Sequence, residues 1–209
     1  MSQVVLSSAY FPNIQYISKF LAHDDIIIDI YEHYSKQTYR NRCNILSANG
    51  ILPLIVPVKK NYHCLIKDIE IDYSERWQKT HERAILSAYK NSPFYEYYID
   101  EFIIFFQKKE KYLYDLNNQI LNKILDILRI EKKYSFSGDF ILSDDILNYR
   151  ETISPKASKN KPDPYFKSYP YIQVFSEKIE FIPNLSILDL IFMHGPMSKE
   201  FIKKSMLIK

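Results

Sequence analysis

Apolar and polar positions along this chain follow two periods, and the points where one period gives way to the other mark its elements. Val4, Val5 and Leu6 form a short β-branched run that stops at Ser7. After Pro12, residues Ile14, Ile17, Phe20 and Leu21 recur at helical spacing, and 26–30 is apolar enough for a strand buried on both faces. The pattern predicts a βαβ unit. A crossover of that kind ends both strands on one edge of a sheet, so residues 7–12 should face 32–37 at the rim where open α/β sheets hold ligands.

Residues 40–46 and 52–58 flank Ala48, Asn49 and Gly50, which predicts a hairpin, and Pro53 and Pro57 assign its second strand to an edge or a bulge. Residues 66–71 alternate apolar and charged positions, as a strand with one wet face would. Ser74 is expected to cap a helix carrying Trp77, His81, Ala84, Ile85 and Ala88 on one face and ending near Asn91. Ser92 and Pro93 open another, whose aromatic stripe of Phe94, Tyr98, Phe102, Phe105 and Phe106 reads as core packing. A third helix spans 111–129, with Leu113, Leu116, Ile120, Ile124, Ile127 and Leu128 as its buried ridge.

Residues 134–170 show weak periodicity, four prolines and a lysine cluster at 156–161, which suggests a lid or mobile segment with the lysines in a solvated loop. Residues 171–175 read as a strand. Ser186 and Asp189 form an S-x-x-D capping box ahead of a helix over 187–194, stopped by Gly195 and Pro196. The fold class is therefore α/β, with α+β as the alternative. An N-terminal βαβ unit with a small mixed sheet, a helical region and a C-terminal strand–helix return make one domain over 1–209.

Composition narrows the function classes. The 209 residues are 46% hydrophobic and 25% charged, with a formal net charge of +3 and basic and acidic residues intermixed, a poor basis for nucleic-acid binding. Two cysteines, Cys43 and Cys64, support neither a disulfide framework nor a metal site, and both are expected reduced. There is no leader-like N-terminus and no apolar run approaching the ~20 residues that span a bilayer, so the expectation is a cytoplasmic protein without membrane insertion. Only three glycines occur, all isolated. Without GxGxxG, GxxxxGK[ST] or GxSxG, a standard dinucleotide site, a P-loop and a hydrolase elbow are all disfavoured, and no cofactor is expected.

Several strings resemble the WbqC-like family: AYFPNIQY (9–16), YSKQTYRNRC (34–43), LIVPVKK (54–60), WQKTHERAILSAYKNSPFYEYY (77–98), YLYDLN (112–117) and YIQVFSEKIEFIPNLSILDLIFMHGP (171–196). Their order and spacing cover most of the chain. The start departs from the pattern: many members carry Gln-Pro ahead of Tyr-Phe-Pro, where this chain has Ser8-Ala9. The resemblance implies a place in bacterial surface-polysaccharide biosynthesis, through O-antigen-type gene clusters, and implies no particular reaction.

Candidate chemistry centres on the rim of the βαβ unit. On a strand, Arg40 and Arg42 project from one face, where their forked guanidinium groups can converge on a carboxylate or phosphate, with Lys36 and Tyr39 beside them. A cross-strand ion pair with Glu32 or Glu70 is the competing structural role for the arginines. His81 could act as a base, or be a hydrogen-bonded core residue. Tyr10, Tyr34 and Gln173 could orient a substrate or close a buried polar network. The five histidines show no ligand spacing, so no metal is expected, and Cys43 on a strand would point away from Arg40 and Arg42. The expectation is a cofactor-independent group transferase acting on a small anionic or activated precursor, with His81 as catalytic base. The alternative is a non-catalytic binding or accessory module with a protein partner.

Overall fold

The computed structural model describes residues 3–59, 64–131, 133–142, 146–156 and 162–207. In chain order the elements are β1 (Val4–Ser7), α1 (Ile14–Ala22), β2 (Ile26–Asp29), β3 (Arg42–Ser47), β4 (Gly50–Ile55), α2 (Trp77–Tyr89), α3 (Tyr95–Gln107), α4 (Leu113–Ile127), β5 (Tyr134–Phe136), β6 (Leu147–Asn148), α5 (Ile187–His194) and α6 (Ser198–Lys204), with 3-10 turns at Ile66–Asp68 and Gly195–Met197.

The expected βαβ unit is present. β1 and β2 run parallel with Val4 opposite Ile26 and Ser7 opposite Asp29, so both strands end on one edge. Residues 134–170, read as a lid or mobile segment, supply the outer strands of the same sheet: β5 lies parallel to β2 and β6 parallel to β1, in the order β5-β2-β1-β6. With strands on both sides, β1 and β2 are central, which accounts for their continuous apolar character. Most of the lysine cluster, at 157–161, lies outside the described residues.

The hairpin forms as expected, with Arg42 opposite Ile55 and Ser47 opposite Gly50. Gly50 takes φ +98° to close its turn. The Ser186 N–H donates to the Asn44 carbonyl at 2.8 Å, so Asn44 points away from β4. Its partner Pro53 therefore has its nitrogen at the free edge, where a missing N–H costs no ladder bond.

Several boundaries differ from the sequence reading. Residues 66–71 are not one strand: Ile66 and Ile69, three apart, are both buried, a spacing that suits the 3-10 turn at Ile66–Asp68, and only Glu70 and Ile71 make isolated antiparallel bridges, to Tyr112 and Val58. Residues 171–175 do not form a strand either. There the Gln173 side-chain amide does the pairing, donating to the Ile182 carbonyl at 2.8 Å and accepting the Ile182 N–H at 2.9 Å. Ser74 does not cap α2: it lies in a turn ahead of the helix, where its N–H donates to Asp72 Oδ1, and Arg76 occupies the N-cap position without a side-chain cap bond. The helix after Pro93 begins at Tyr95, two residues late, with Phe94 at φ −115° and ψ 11° outside helical geometry and its N–H bonded to the Phe192 carbonyl. Ser186 does cap α5, accepting the Leu188 N–H, but Asp189 turns into the core.

The core joins these elements through aromatic contacts. Phe11 meets Phe102 at 5.8 Å and Phe106 at 6.0 Å between ring centroids, and Phe102 meets Phe192 at 5.8 Å. The aromatic stripe of α3 is thus packing, as its spacing suggested.

Candidate functional site

The chain proceeds outward from β1 through β2 to β5, then returns to the opposite side of β1 to lay down β6. The carboxyl ends of β1 and β6 therefore flank the gap at which strand order reverses, the position where open α/β sheets bind ligands. A hollow of about 10 Å³ sits there, lined by Ser7, Ser8, Tyr16, Tyr39, Arg40 and Tyr149 among others. In this conformation it has room for one water. A second hollow of the same size shares Ser8 and Tyr16 and reaches Asn117 on α4.

The link from β1 to α1 is held rigidly. Phe11 adopts φ +38°, a costly conformation for a bulky residue, fixed by its fully buried ring and by the Ser186 hydroxyl donating to its carbonyl at 2.9 Å. Asn13 caps α1 by accepting the Tyr16 N–H at 2.9 Å. The Ile14 N–H donates to the Leu185 carbonyl and the Gln15 N–H to Asn184 Oδ1. With these N–H groups occupied and no glycine in the link, the start of α1 does not offer the phosphate cradle of nucleotide-binding folds.

Two buried ion pairs cross the rim. Arg40 Nε donates to Glu32 Oε1 at 2.8 Å and Nη2 to Oε2 at 2.5 Å. Arg150 Nη1 donates to Asp29 Oδ2, while Asp29 Oδ1 accepts the Tyr31 N–H and the Ser137 hydroxyl, each at 2.9 Å. Burial pushes the Glu32 carboxyl above its ordinary pKa even though Arg40 pulls it down, and nearby Asp29 adds to the rise. The rim is thus polar, with each of these charges matched by its opposite. The Tyr16 hydroxyl donates to the Ser7 carbonyl at 2.9 Å, and Asn117 Nδ2 donates to Ser8 Oγ and the Arg40 carbonyl, leaving Asn117 Oδ1 buried without a partner among the described residues.

Of the residues singled out from sequence, Tyr39 and Arg40 line the hollow. Arg40 does not offer its guanidinium to an anion in this conformation, because Glu32 occupies it bidentately; the competing ion-pair role is the one observed. Arg42 begins β3 and is half-buried, with Tyr34 and Tyr39 near enough to feel its charge. Burial raises the pKa of both tyrosines. Lys36 is exposed on the loop between β2 and β3. His81, Tyr10 and Gln173 belong to the core. The fully buried Tyr10 hydroxyl donates to His81 Nδ1 at 2.9 Å, and the ring is enclosed by Trp77, Tyr10 and Phe106. Burial lowers the His81 pKa to about 4, so the imidazole is neutral and sealed from solvent. Gln173 braces Ile182. Burial likewise raises the Cys43 thiol pKa, which keeps it protonated.

Sequence reasoning missed Asp29, Asn117, Tyr149 and Arg150. Asp29 alone carried a signal, as a carboxylate closing an otherwise apolar strand. Among the described residues no helix is long and apolar enough to cross a membrane.

A model of the WbqC-like protein family matches residues 7–159. The chain is also similar to Uncharacterized protein Rv1507c of Mycobacterium tuberculosis, 26% identical over 218 residues that cover 93% of this chain and 91% of that protein. No solved structure matches.

Proposed function

Since the chain belongs to the WbqC-like protein family, we propose that it serves the assembly of a bacterial surface polysaccharide by binding a precursor at the carboxyl rim of its parallel sheet. The observation that carries this reading is the hollow at the strand-order reversal, lined by the hydroxyl-bearing residues Ser7, Ser8, Tyr16, Tyr39 and Tyr149. With Arg40 and Arg150 paired to carboxylates, recognition at the hollow itself would rest on hydroxyl and amide hydrogen bonds, which suits a hydroxyl-rich ligand better than a bare anion. Admitting one requires the Tyr149–Ile153 wall to move outward.

A binding or accessory role is favoured over acid–base catalysis. His81 is enclosed, Arg40 is neutralised and Cys43 is a buried protonated thiol. Group transfer to the bound precursor is the second reading. It draws support from the unpartnered Asn117 Oδ1 beside the second hollow, an acceptor available to orient an incoming amine or hydroxyl.

Thermal-shift screening of nucleotide sugars, sugar phosphates and acyl donors tests both. A precursor should raise the Tm of the wild type and not of Ser8→Trp, which fills the rim hollow. Mass spectrometry of the same mixtures detects any transferred group. Absence of a shift with every class, together with co-purification of a protein partner, refutes precursor binding.

A further inference from the structure

A larger cleft lies near the N-terminus of α1. It has a volume of about 580 Å³, within the usual range for ligand sites, and is broadly open to solvent. Its walls are tied down. The loop carrying Phe166 and Lys167 is held to the end of α6 by Lys167 N–H donating to the Ser205 carbonyl at 2.9 Å, by Tyr169 N–H to Ser205 Oγ at 3.0 Å and by Leu207 N–H to the Tyr165 carbonyl at 3.0 Å. The opposite wall contains Phe181 and Asn184. The latter adopts φ +58°, which turns its side chain back onto α1, where Nδ2 donates to Gln15 Oε1 at 3.0 Å.

The lining combines two kinds of surface. Phe166, Phe181 and neighbouring prolines supply flat apolar faces, while Gln15, Asn184 and Asp163 supply planar polar groups. Asp163 carries no net charge into the cleft, because the buried Lys19 ammonium sits 2.5 Å from its Oδ2. Gln15 Nε2 donates to the same oxygen at 2.9 Å, and each of the two amides keeps a second N–H that these bonds do not use. Lys167, exposed at the mouth, adds a cation whose own carboxylate partner is absent among the ion pairs of the described residues.

We propose that this cleft is a saccharide site. The apolar faces would receive the C–H side of a sugar ring, the Gln15 and Asn184 amides its hydroxyls, and Lys167 an anionic substituent, either a uronate carboxylate or a sugar phosphate. The site is separate from the rim hollow, so either can fail without the other.

Calorimetric titration of the whole chain with glucuronate, glucose 1-phosphate and glucose tests it, together with NMR of the side-chain amides. Saturable binding of at least one anionic sugar is expected, tighter than glucose by up to about fivefold, the worth of one exposed ion pair. The stronger anionic arm identifies the source of the charge. Lys167→Glu, at an exposed position, should abolish that preference, and the bound sugar should shift the Gln15 and Asn184 side-chain amide signals. No saturation by any of the three, an unchanged preference in Lys167→Glu, or shifts confined to the Asn117 side-chain amide would each overturn the assignment. The last outcome would move binding to the rim and leave the reading of that hollow intact.

Discussion

Replacing Arg40 by Met decides whether its guanidinium belongs to the fold or to a ligand. The Arg40 and Glu32 side chains are 5% and 6% exposed, and two hydrogen bonds align them. Glu32 nonetheless has a raised pKa, so the cost of burying its charge exceeds what Arg40 returns. Arg40→Met therefore leaves a buried carboxylate uncompensated, with an expected loss of about 3–5 kcal/mol. That is a large part of the ~5–15 kcal/mol that holds a typical domain folded. A carboxyl with a raised folded pKa favours the fold in its protonated form, so the loss should shrink as pH falls and grow as pH rises. Glu32→Leu combined with Arg40→Met removes both charges and should return to within about 1 kcal/mol of wild type. Urea unfolding of the wild type, the single and the double variants across pH measures all of this. A loss below about 1 kcal/mol for Arg40→Met, the level of an exposed pair, would refute the reasoning and restore Arg40 as an anion ligand.

Three further outcomes follow from the same packing. His81 and Asp189 should give opposite pH dependences: the His81 pKa falls from 6.5 to about 4, so its contribution is full above 6.5 and lost as pH drops toward 4, whereas that of Asp189 rises from 3.8 to about 6, so its contribution is full below 3.8 and lost as pH climbs through 6. Each is worth about 3 kcal/mol, so, measured against wild type by urea midpoints between pH 4 and 7, the stability curve should tilt downward with pH in His81→Gln and upward in Asp189→Asn. Gly195→Ala places a methyl 2.5 Å from the Phe94 ring at a backbone φ of +48°, and should lower stability by about 2–4 kcal/mol in thermal melts; Gly50→Ala, with open space around it, should lose only about 1 kcal/mol. Pro53→Thr restores an N–H on the free edge of β4 beside the exposed Ile51 and Ile55, so light scattering should show more self-association than in wild type.

The βαβ unit was legible because its strands are apolar runs and its helix is amphipathic, and the hairpin because Asn49 and Gly50 interrupt two such runs. β5 and β6 were not, since three and two residues carry no period and become strands only by pairing with β2 and β1. At the site, the ion-pair role of Arg40 was one of two readings available from sequence, and the buried Glu32 carboxylate against its guanidinium decides between them. Asp189 was misread because S-x-x-D describes a cap equally well, while the Tyr89 and Tyr171 hydroxyls that claim its carboxylate at 2.9 and 2.8 Å come from 100 and 18 residues away. Arg150 is paired across 121 residues with Asp29, a separation beyond the reach of any local pattern.

The placement of β5 and β6 also bears on how the protein is made. Both flanks of the central strand pair come from beyond residue 133, so during synthesis β1 and β2 wait, with open edges, for more than half the chain to emerge. Such long-range pairing is slow and leaves sticky intermediates. A nascent chain halted after α4 should depend on holdase chaperones, and a fragment ending there would lack the Tyr149 wall and hence any ligand pocket at the rim.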